Sequence, residues 1–143
     1  MYDDYIHVVG VAFIKKGKLL ISMSKRSAKS GKYTLVGGGV EEIDETIKHA
    51  ARRECQEEIA NGFDIQLDEL KEILVFREPA LSDPNLMAEM HLFLALKEVD
   101  VELIPNDEII EFKWFTLGDD ESMLSSTITD HILPYARENN LMY

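Results

Sequence analysis

Residues 37–62 read GGGVEEIDETIKHAARRECQEEIANG, from Gly37 to Gly62, and this stretch decides the fold. No glycine or proline interrupts a helix-favouring composition from Asp44 to Ala60. Asn61-Gly62 then supplies a C-terminal stop, so the spacing predicts a helix over 44–60. On a wheel of about 100° per residue, Ile47, Ala50, Ala51, Cys55 and Ile59 gather on one broad face. His49, Arg52 and Gln56 fall on the opposite side. Glu54 and Glu58 do not join them; they project near Ile47 and Ala51, inside the face that should be apolar. Glu57 lies on its border.

Carboxylates one turn apart repel by about 0.2–0.5 kcal/mol even on an exposed helix. Turned inward they also lose hydration, which costs several kcal/mol unless something compensates. A divalent cation compensates, because hard cations take oxygen ligands and two carboxylates at this spacing can share one. The plainer reading makes Glu54, Glu57 and Glu58 a solvated charged face, and their inward placement on the wheel weighs against it.

Outward from this helix the chain alternates with strand-like runs. Residues 5–14 (YIHVVGVAFI) are β-branched and aromatic, which suits a buried strand. With the Lys15-Lys16-Gly17-Lys18 turn and residues 19–24, they predict a hairpin over 5–24. A basic loop, SAKSGK at 27–32, precedes a short extended piece at 33–36. Three glycines follow at 37–39, and they are not a P-loop because no GK[ST] comes after them. Further strands are predicted at 72–77, 90–96 and 112–117, with a proline-bearing loop at 78–86 long enough to help form a binding site. The tail at 126–141 reads as helical, with a kink or restart at Pro134. No repeat or linker divides the 143 residues, so one domain over 1–143 is expected. Strands on both sides of a long helix plus a terminal helix predict an α+β fold, a mixed sheet covered by helices.

Fifteen Lys+Arg against 27 Asp+Glu give a formal charge of -12. That balance disfavours binding of long DNA or RNA, and a phosphate ligand would need another source of positive charge, most simply a divalent cation held by carboxylates. The basic residues available as a counter-patch are Lys25, Arg26, Lys29 and Lys32. A single cysteine excludes an internal disulfide and fits a cytoplasmic setting. The N-terminus lacks a basic leader, and no apolar run approaches the roughly 18 residues that a membrane span needs.

The central segment resembles the Nudix box, G-x5-E-x7-R-E-U-x-E-E-x-G-U, where U is a bulky apolar residue. Gly39, Glu45, Arg53, Glu54, Glu57 and Glu58 supply six of its seven fixed letters at the required spacing, with Cys55 in the apolar slot. Ala60 stands where the family has glycine and Asn61 where it has an apolar residue; Gly62-Phe63 offers both two residues later if the helix runs on by half a turn. Ile43-Asp44 replaces the single glycine before the box's first glutamate, so the loop is read as one residue longer. The order of hairpin, box, later strands and final helix extends the resemblance over the whole chain.

The resemblance implies an α/β/α sandwich with a mixed β-sheet between helices. It implies Mg2+- or Mn2+-dependent hydrolysis of a diphosphate bond in a small nucleotide, either a nucleoside triphosphate or a nucleoside diphosphate linked to another group. Glu54 and Glu58 would be the principal metal ligands, Glu57 would bind directly or through water, and a carbonyl of Gly38 or Gly39 would complete the shell. Arg53 would pair with Glu45 to fix helix and loop. One further carboxylate is expected from the loop before the late tryptophan strand, where Asp107, Glu108 and Glu111 compete; Glu108 has the best combination of position and reach. A homodimer is compatible with the family. The alternative is a catalytically weak Nudix-fold module that binds nucleotide or regulates.

Other positions carry weaker signals. Arg26, beside Lys25 at a strand end, is a candidate phosphate contact or an ordinary surface charge. Tyr33 and Phe76 are candidates to stack on a base, with a core role the stronger reading for both. His91, alternating with apolar residues in MHLFL, reads as a satisfied sheet histidine rather than a catalytic one. Cys55 reads as a buried, inert thiol.

Overall fold

A computed structural model describes residues 5–80 and 85–143. Seven strands run in the order β1 (Tyr5–Ala12), β2 (Ile14–Lys15), β3 (Lys18–Ser24), β4 (Val36–Gly39), β5 (Leu70–Pro79), β6 (Met87–Ala95) and β7 (Ile109–Phe115). The long helix α1 spans Ile47–Ile59 and the terminal helix α2 spans Leu133–Glu138. The strands form two sheets, one in the order β4-β1-β6-β5 and one in the order β2-β3-β7. β1 and β6 are parallel while the other pairings are antiparallel, so the four-stranded sheet is mixed. Helices lie on both sides of these sheets. α1 contributes Ala50, Ala51, Cys55 and Ile59 to a core with Val9, Val11, Leu20 and Phe93. The C-terminal region contributes Ile128, Ile132, Leu133 and Ala136 to a second core with Leu19, Ile21, Leu92 and Phe115. The architecture is the α+β, α/β/α sandwich that the sequence predicts.

One expectation needs correction. Residues 5–24 do not form a single hairpin. The two-residue turn at Lys16-Gly17, with φ of 52° and 77°, joins only β2 to β3; both positive values are those of a type I′ turn. β1 leaves this hairpin at Phe13 and enters the other sheet between β4 and β6. Its apolar run reflects burial between two layers rather than a hairpin partner.

α1 begins where Thr46 accepts a hydrogen bond from the His49 N–H at 3.2 Å, a side-chain N-cap. It ends at Ile59, and the half-turn extension toward Gly62 does not occur. Ala60 instead takes the positive-φ position itself (φ 53°), followed by Asn61 at 52° and Gly62 at 79°. Asn61 donates to the Glu102 carbonyl at 3.1 Å, and buried Phe63 packs edge-on against Phe13. These contacts hold the reversal in place of a glycine stop. The tail restarts near Pro134 as expected: a π-helical turn, Ile128–Ile132, passes directly into α2, with Pro134 in its first turn. The predicted loop at 78–86 overlaps the end of β5 at Glu78 and Pro79, and its residues 81–84 fall outside the described residues.

Candidate active site

The two inward glutamates of α1 are where the wheel puts them. Glu54 is 9% exposed and Glu58 6%, beside fully buried Ala50, Ala51 and Cys55. Desolvation pushes Glu58 up to about 10, and a hydrogen bond to Glu54 and the charge of Glu54 push it the same way. The same burial, with the charges of Glu58 and Glu54 added, raises the Cys55 thiol, so this residue is the inert buried cysteine expected.

β4 is built to pass close to these carboxylates. A Cβ on Gly37 would stand 2.0 Å from the Val9 carbonyl oxygen, and one on Gly38 would stand 2.8 Å from both carboxylate oxygens of Glu54. At Gly37 the obstacle is backbone, so only glycine fits, whereas a side chain at Gly38 would force the Glu54 carboxylate to shift. The Gly37 N–H points at Glu58 Oε1 at 3.5 Å.

Arg53 ties the loop to the helix. Its Nε and Nη2 each donate to the Asp44 carboxylate at 2.9 Å, a bidentate pair. Nη2 also donates to the Gly39 carbonyl at 3.1 Å, and Nη1 reaches Glu54 Oε1 at 3.0 Å, Glu57 Oε1 at 3.1 Å and Glu41 Oε2 at 3.2 Å. This guanidinium, held firmly protonated, draws the Asp44 carboxyl below its ordinary range despite burial. Asp44, rather than Glu45, is therefore the partner of Arg53. The Asp44 side chain is 4% exposed, whereas Glu45 is 82% exposed and lies 3.7 Å from His49. A small local turn explains the switch. Asp44 N–H donates to the Glu41 carbonyl and Glu41 N–H to the Asp44 carboxylate, which folds Asp44 back under Arg53 while Glu45 stays outside the first helical turn.

Glu54, Glu57 and Glu58 line one wall of a cavity of about 520 Å³. Gly37–Gly39, Glu41, Lys25, Arg26, Asp107 and Glu108 also line it. The loop at 106–109 is fixed by Asn106, a residue that sequence reasoning passed over. Its Nδ2 donates to the Glu58 carbonyl at 2.8 Å, while its Oδ1 accepts from the Glu108 and Ile109 N–H groups. Asn ahead of Asp-Glu is an Asx-turn signal, the one hint the sequence held. Glu111 is turned away, accepting a 2.5 Å hydrogen bond from the Tyr33 hydroxyl, and this bond raises the Tyr33 pKa.

Tyr33 and Phe76 do not line this cavity. Both pack against the second core, and Phe76 stacks on His131 with ring centroids 3.5 Å apart. Lys29 and Lys32 also lie outside its lining, Lys32 donating to the Ser122 carbonyl. His91 is buried and engaged with His7 and Glu89.

A strand-and-helix sandwich that aims a helix's carboxylates at a glycine-walled cavity defines a hydrolase class recognisable among known proteins. The NUDIX domain family model matches residues 5–127. The chain belongs to the Nudix hydrolase family, enzymes that act on nucleotide-linked substrates. It is 32% identical over 123 residues, 86% of its length and 72% of the relative's, to the oxidized purine nucleoside triphosphate hydrolase of Danio rerio. It shares its fold with the MutT NUDIX hydrolase of Burkholderia pseudomallei, with a TM-score of 0.70 at 22% identity, over 95% of this chain and 98% of that one. The NUDIX domain of Shewanella oneidensis NrtR, solved with ADP ribose, also shares the fold, with a TM-score of 0.70 at 17% identity over 97% and 90% of the two chains. Among the described residues no helix is long and apolar enough to cross a membrane.

Proposed function

We propose that this chain hydrolyses a diphosphate bond in a small nucleotide, a nucleoside triphosphate or a nucleoside diphosphate linked to another group, with Mg2+ or Mn2+ as cofactor. The observation that carries the reading is the burial of Glu54 and Glu58 together on a cavity wall, an arrangement unfavourable without a bound cation. The donor set is all oxygen, as a hard divalent cation requires, and Gly38 leaves room beside Glu54 where any side chain would intrude. Nudix enzymes generally use a divalent metal, and these residues fit one. When bound, such a cation screens the diphosphate, polarises phosphorus and acidifies a water.

The residues divide the remaining work. Glu54 and Glu58 are the principal ligands, and Glu57, exposed at the cavity edge, binds directly or through water. The Gly39 carbonyl already accepts from Arg53, which favours Gly38 as the backbone ligand. Arg53 holds Glu54 and Glu57 in position while Asp44 holds Arg53. Lys25 and Arg26, which line the same cavity as the carboxylates, suit the phosphates. Glu108, which lines the cavity, would take a proton from an attacking water, with Asp107 its nearest rival. Base recognition by Tyr33 or Phe76 has no support in this geometry. The retained carboxylate set supports turnover over a purely binding or regulatory role. A cytoplasmic setting fits the single buried cysteine, and the acidic net charge supports mononucleotides over long nucleic acid.

The test is a screen of the purified protein with Mg2+ and Mn2+ against oxidised purine nucleoside triphosphates, ADP-ribose and nucleotide sugars, following phosphate or pyrophosphate release. The 32% identical relative puts the oxidised purine triphosphates first. Glu54→Gln and Glu58→Gln should each lower turnover by orders of magnitude in a folded protein. Near wild-type turnover in either variant at saturating Mg2+ would sink the assignment. Glu108→Ala should remove the acidic limb of the pH–rate profile; if Asp107→Ala does so instead, Asp107 is the base.

A further inference from the structure

The four-stranded sheet carries a second cluster of ligand-bearing side chains, built on the parallel pair β1 and β6. Register places His7 opposite Glu89 and Val9 opposite His91. Alternation along both strands then turns His7, Glu89 and His91 to one face, the same face as Val9, Val11 and Phe93 of the α1-side core. His7 Nδ1 lies 3.3 Å from His91 Nε2, His91 Nε2 lies 3.0 Å from Glu89 Oε1, and His7 Nδ1 lies 3.6 Å from Glu89 Oε1. The three atoms form a nearly equilateral triangle. A tetrahedral ion with ligands at 2.0–2.1 Å has edges of about 3.3–3.4 Å, the same size as this triangle.

The surroundings match as well. Glu89 presents Oε1 to the histidines while Arg77 Nε holds its Oε2 at 2.9 Å, leaving a single-oxygen ligand with fixed orientation. The other ring nitrogen of His91 lies 3.9 Å from Glu72 Oε2, beyond hydrogen-bond distance but near enough for charge attraction. His91 and Glu89 are largely covered, at 10% and 15% side-chain exposure, whereas His7 is 29% exposed. That leaves a direction open to water for a fourth ligand. Two imidazoles and one carboxylate suit a borderline cation such as Zn2+ better than Mg2+, which prefers oxygen donors. None of the three residues lines the cavity of the Nudix box.

From this geometry we infer that His7, Glu89 and His91 form a three-ligand site for a Zn2+-class transition-metal ion, separate from the hard-cation site of the box. An ion there joins the first strand of the domain to β6, 84 positions away between His7 and His91. It would fasten a parallel strand pair that backbone bonds, packing and the His7 contacts with Glu89 and His91 already join. The inference stands independently of the reaction proposed for the box.

The experiment uses the full chain carrying Glu54→Gln and Glu58→Gln, so that the box cannot report, titrated with Co2+ and followed by visible absorption. One equivalent should give the intense bands of four-coordinate Co2+, and one equivalent of Zn2+ should bleach them. His7→Ala and Glu89→Gln, made separately because both side chains reach the surface and tolerate change better than His91, should each weaken Co2+ binding at least tenfold. Glu72→Gln should weaken it by less than about tenfold, because Glu72 is too distant to hydrogen-bond His91. Absence of the bands in the box-disabled protein would overturn the site. So would full affinity retained in either His7→Ala or Glu89→Gln.

Discussion

Replacing Glu58 by glutamine should stabilise the metal-free protein at neutral pH while abolishing its response to metal. Burial and Glu54 hold the folded Glu58 carboxyl up at about 10, against 4.5 for the free side chain. The sign follows from proton binding. Between pH 4.5 and 10 the folded state keeps a proton that the unfolded state releases, so unfolding gains from every rise in pH across that window. At pH 7.5 the difference is three pH units, and at 1.36 kcal/mol each this sets a ceiling of about 4 kcal/mol. Relaxation of the helix and entry of water bring the expected penalty to roughly 2 kcal/mol. Glutamine has nearly the shape of the protonated acid and no charge to bury, so it escapes the penalty.

The assay is thermal unfolding in EDTA at pH 5, 6 and 7.5, repeated with excess Mg2+ or Mn2+. At about 4 °C per kcal/mol for a chain of this size, Glu58→Gln should melt roughly 8 °C above the parent at pH 7.5. The gap should shrink to roughly 2 °C at pH 5, where the unfolded-state carboxyl, at 4.5, begins to take up its proton. Metal should raise the parent's melting temperature and leave the variant's nearly unchanged. A variant less stable than the parent at pH 7.5, or a gap independent of pH, would refute the reasoning.

Four further substitutions probe the neighbouring geometry. Asp44→Ala should destabilise the protein by about 2 kcal/mol and lower turnover, since it strips the bidentate partner from a half-buried arginine, whereas exposed Glu45→Ala should stay within about 0.5 kcal/mol; denaturant melts of the pair decide which carboxylate is the clamp. Gly38→Ala sets a methyl 2.8 Å from the Glu54 carboxylate oxygens, which Arg53 prevents from retreating freely; turnover should fall roughly 10- to 100-fold with circular dichroism unchanged. Ala60→Gly relieves a residue at φ 53° and should add about 1 kcal/mol, or roughly 4 °C in melting temperature, with activity retained.

What the sequence reveals depends on the range over which each interaction acts. The inward turn of Glu54 and Glu58 is legible because helical period is a local property, and six fixed letters of the box locate it within the chain. The partner of β1 is not legible, because a run buried on both faces announces burial and leaves the neighbour unnamed. Its parallel partner β6 begins more than seventy residues after β1 ends. The Arg53 clamp is misread by a single residue for a local reason: the motif fixes spacing to Glu45, but the Glu41–Asp44 turn presents Asp44 instead. Tyr33 reads as core with base stacking the weaker alternative, and what the sequence hides is Glu111, distant along the chain, which holds its hydroxyl. Asn106 is legible as a turn residue only, since its bond to the Glu58 carbonyl crosses 48 positions.

The small residues of α1 and the glycines of β4 act as one device. Carboxylates on the buried face of a helix would ordinarily be crowded out by larger apolar neighbours. Here Ala50, Ala51 and Cys55 fill the adjoining positions, and all three are fully buried. Their size lets α1 settle close to the sheet, while Gly37 and Gly38 let β4 approach without any Cβ in the way. The space between helix and strand then holds two carboxylates and little else. A larger residue at Ala51 or at Gly38 would either displace Glu54 or push the helix outward. The helix face therefore sacrifices apolar burial at two positions and keeps the others small, a pattern that weakens the core but leaves the paired glutamates fixed from both sides. The motif's apolar slot tolerates cysteine here because its task is to be small and buried, and a thiol shielded from water meets both demands.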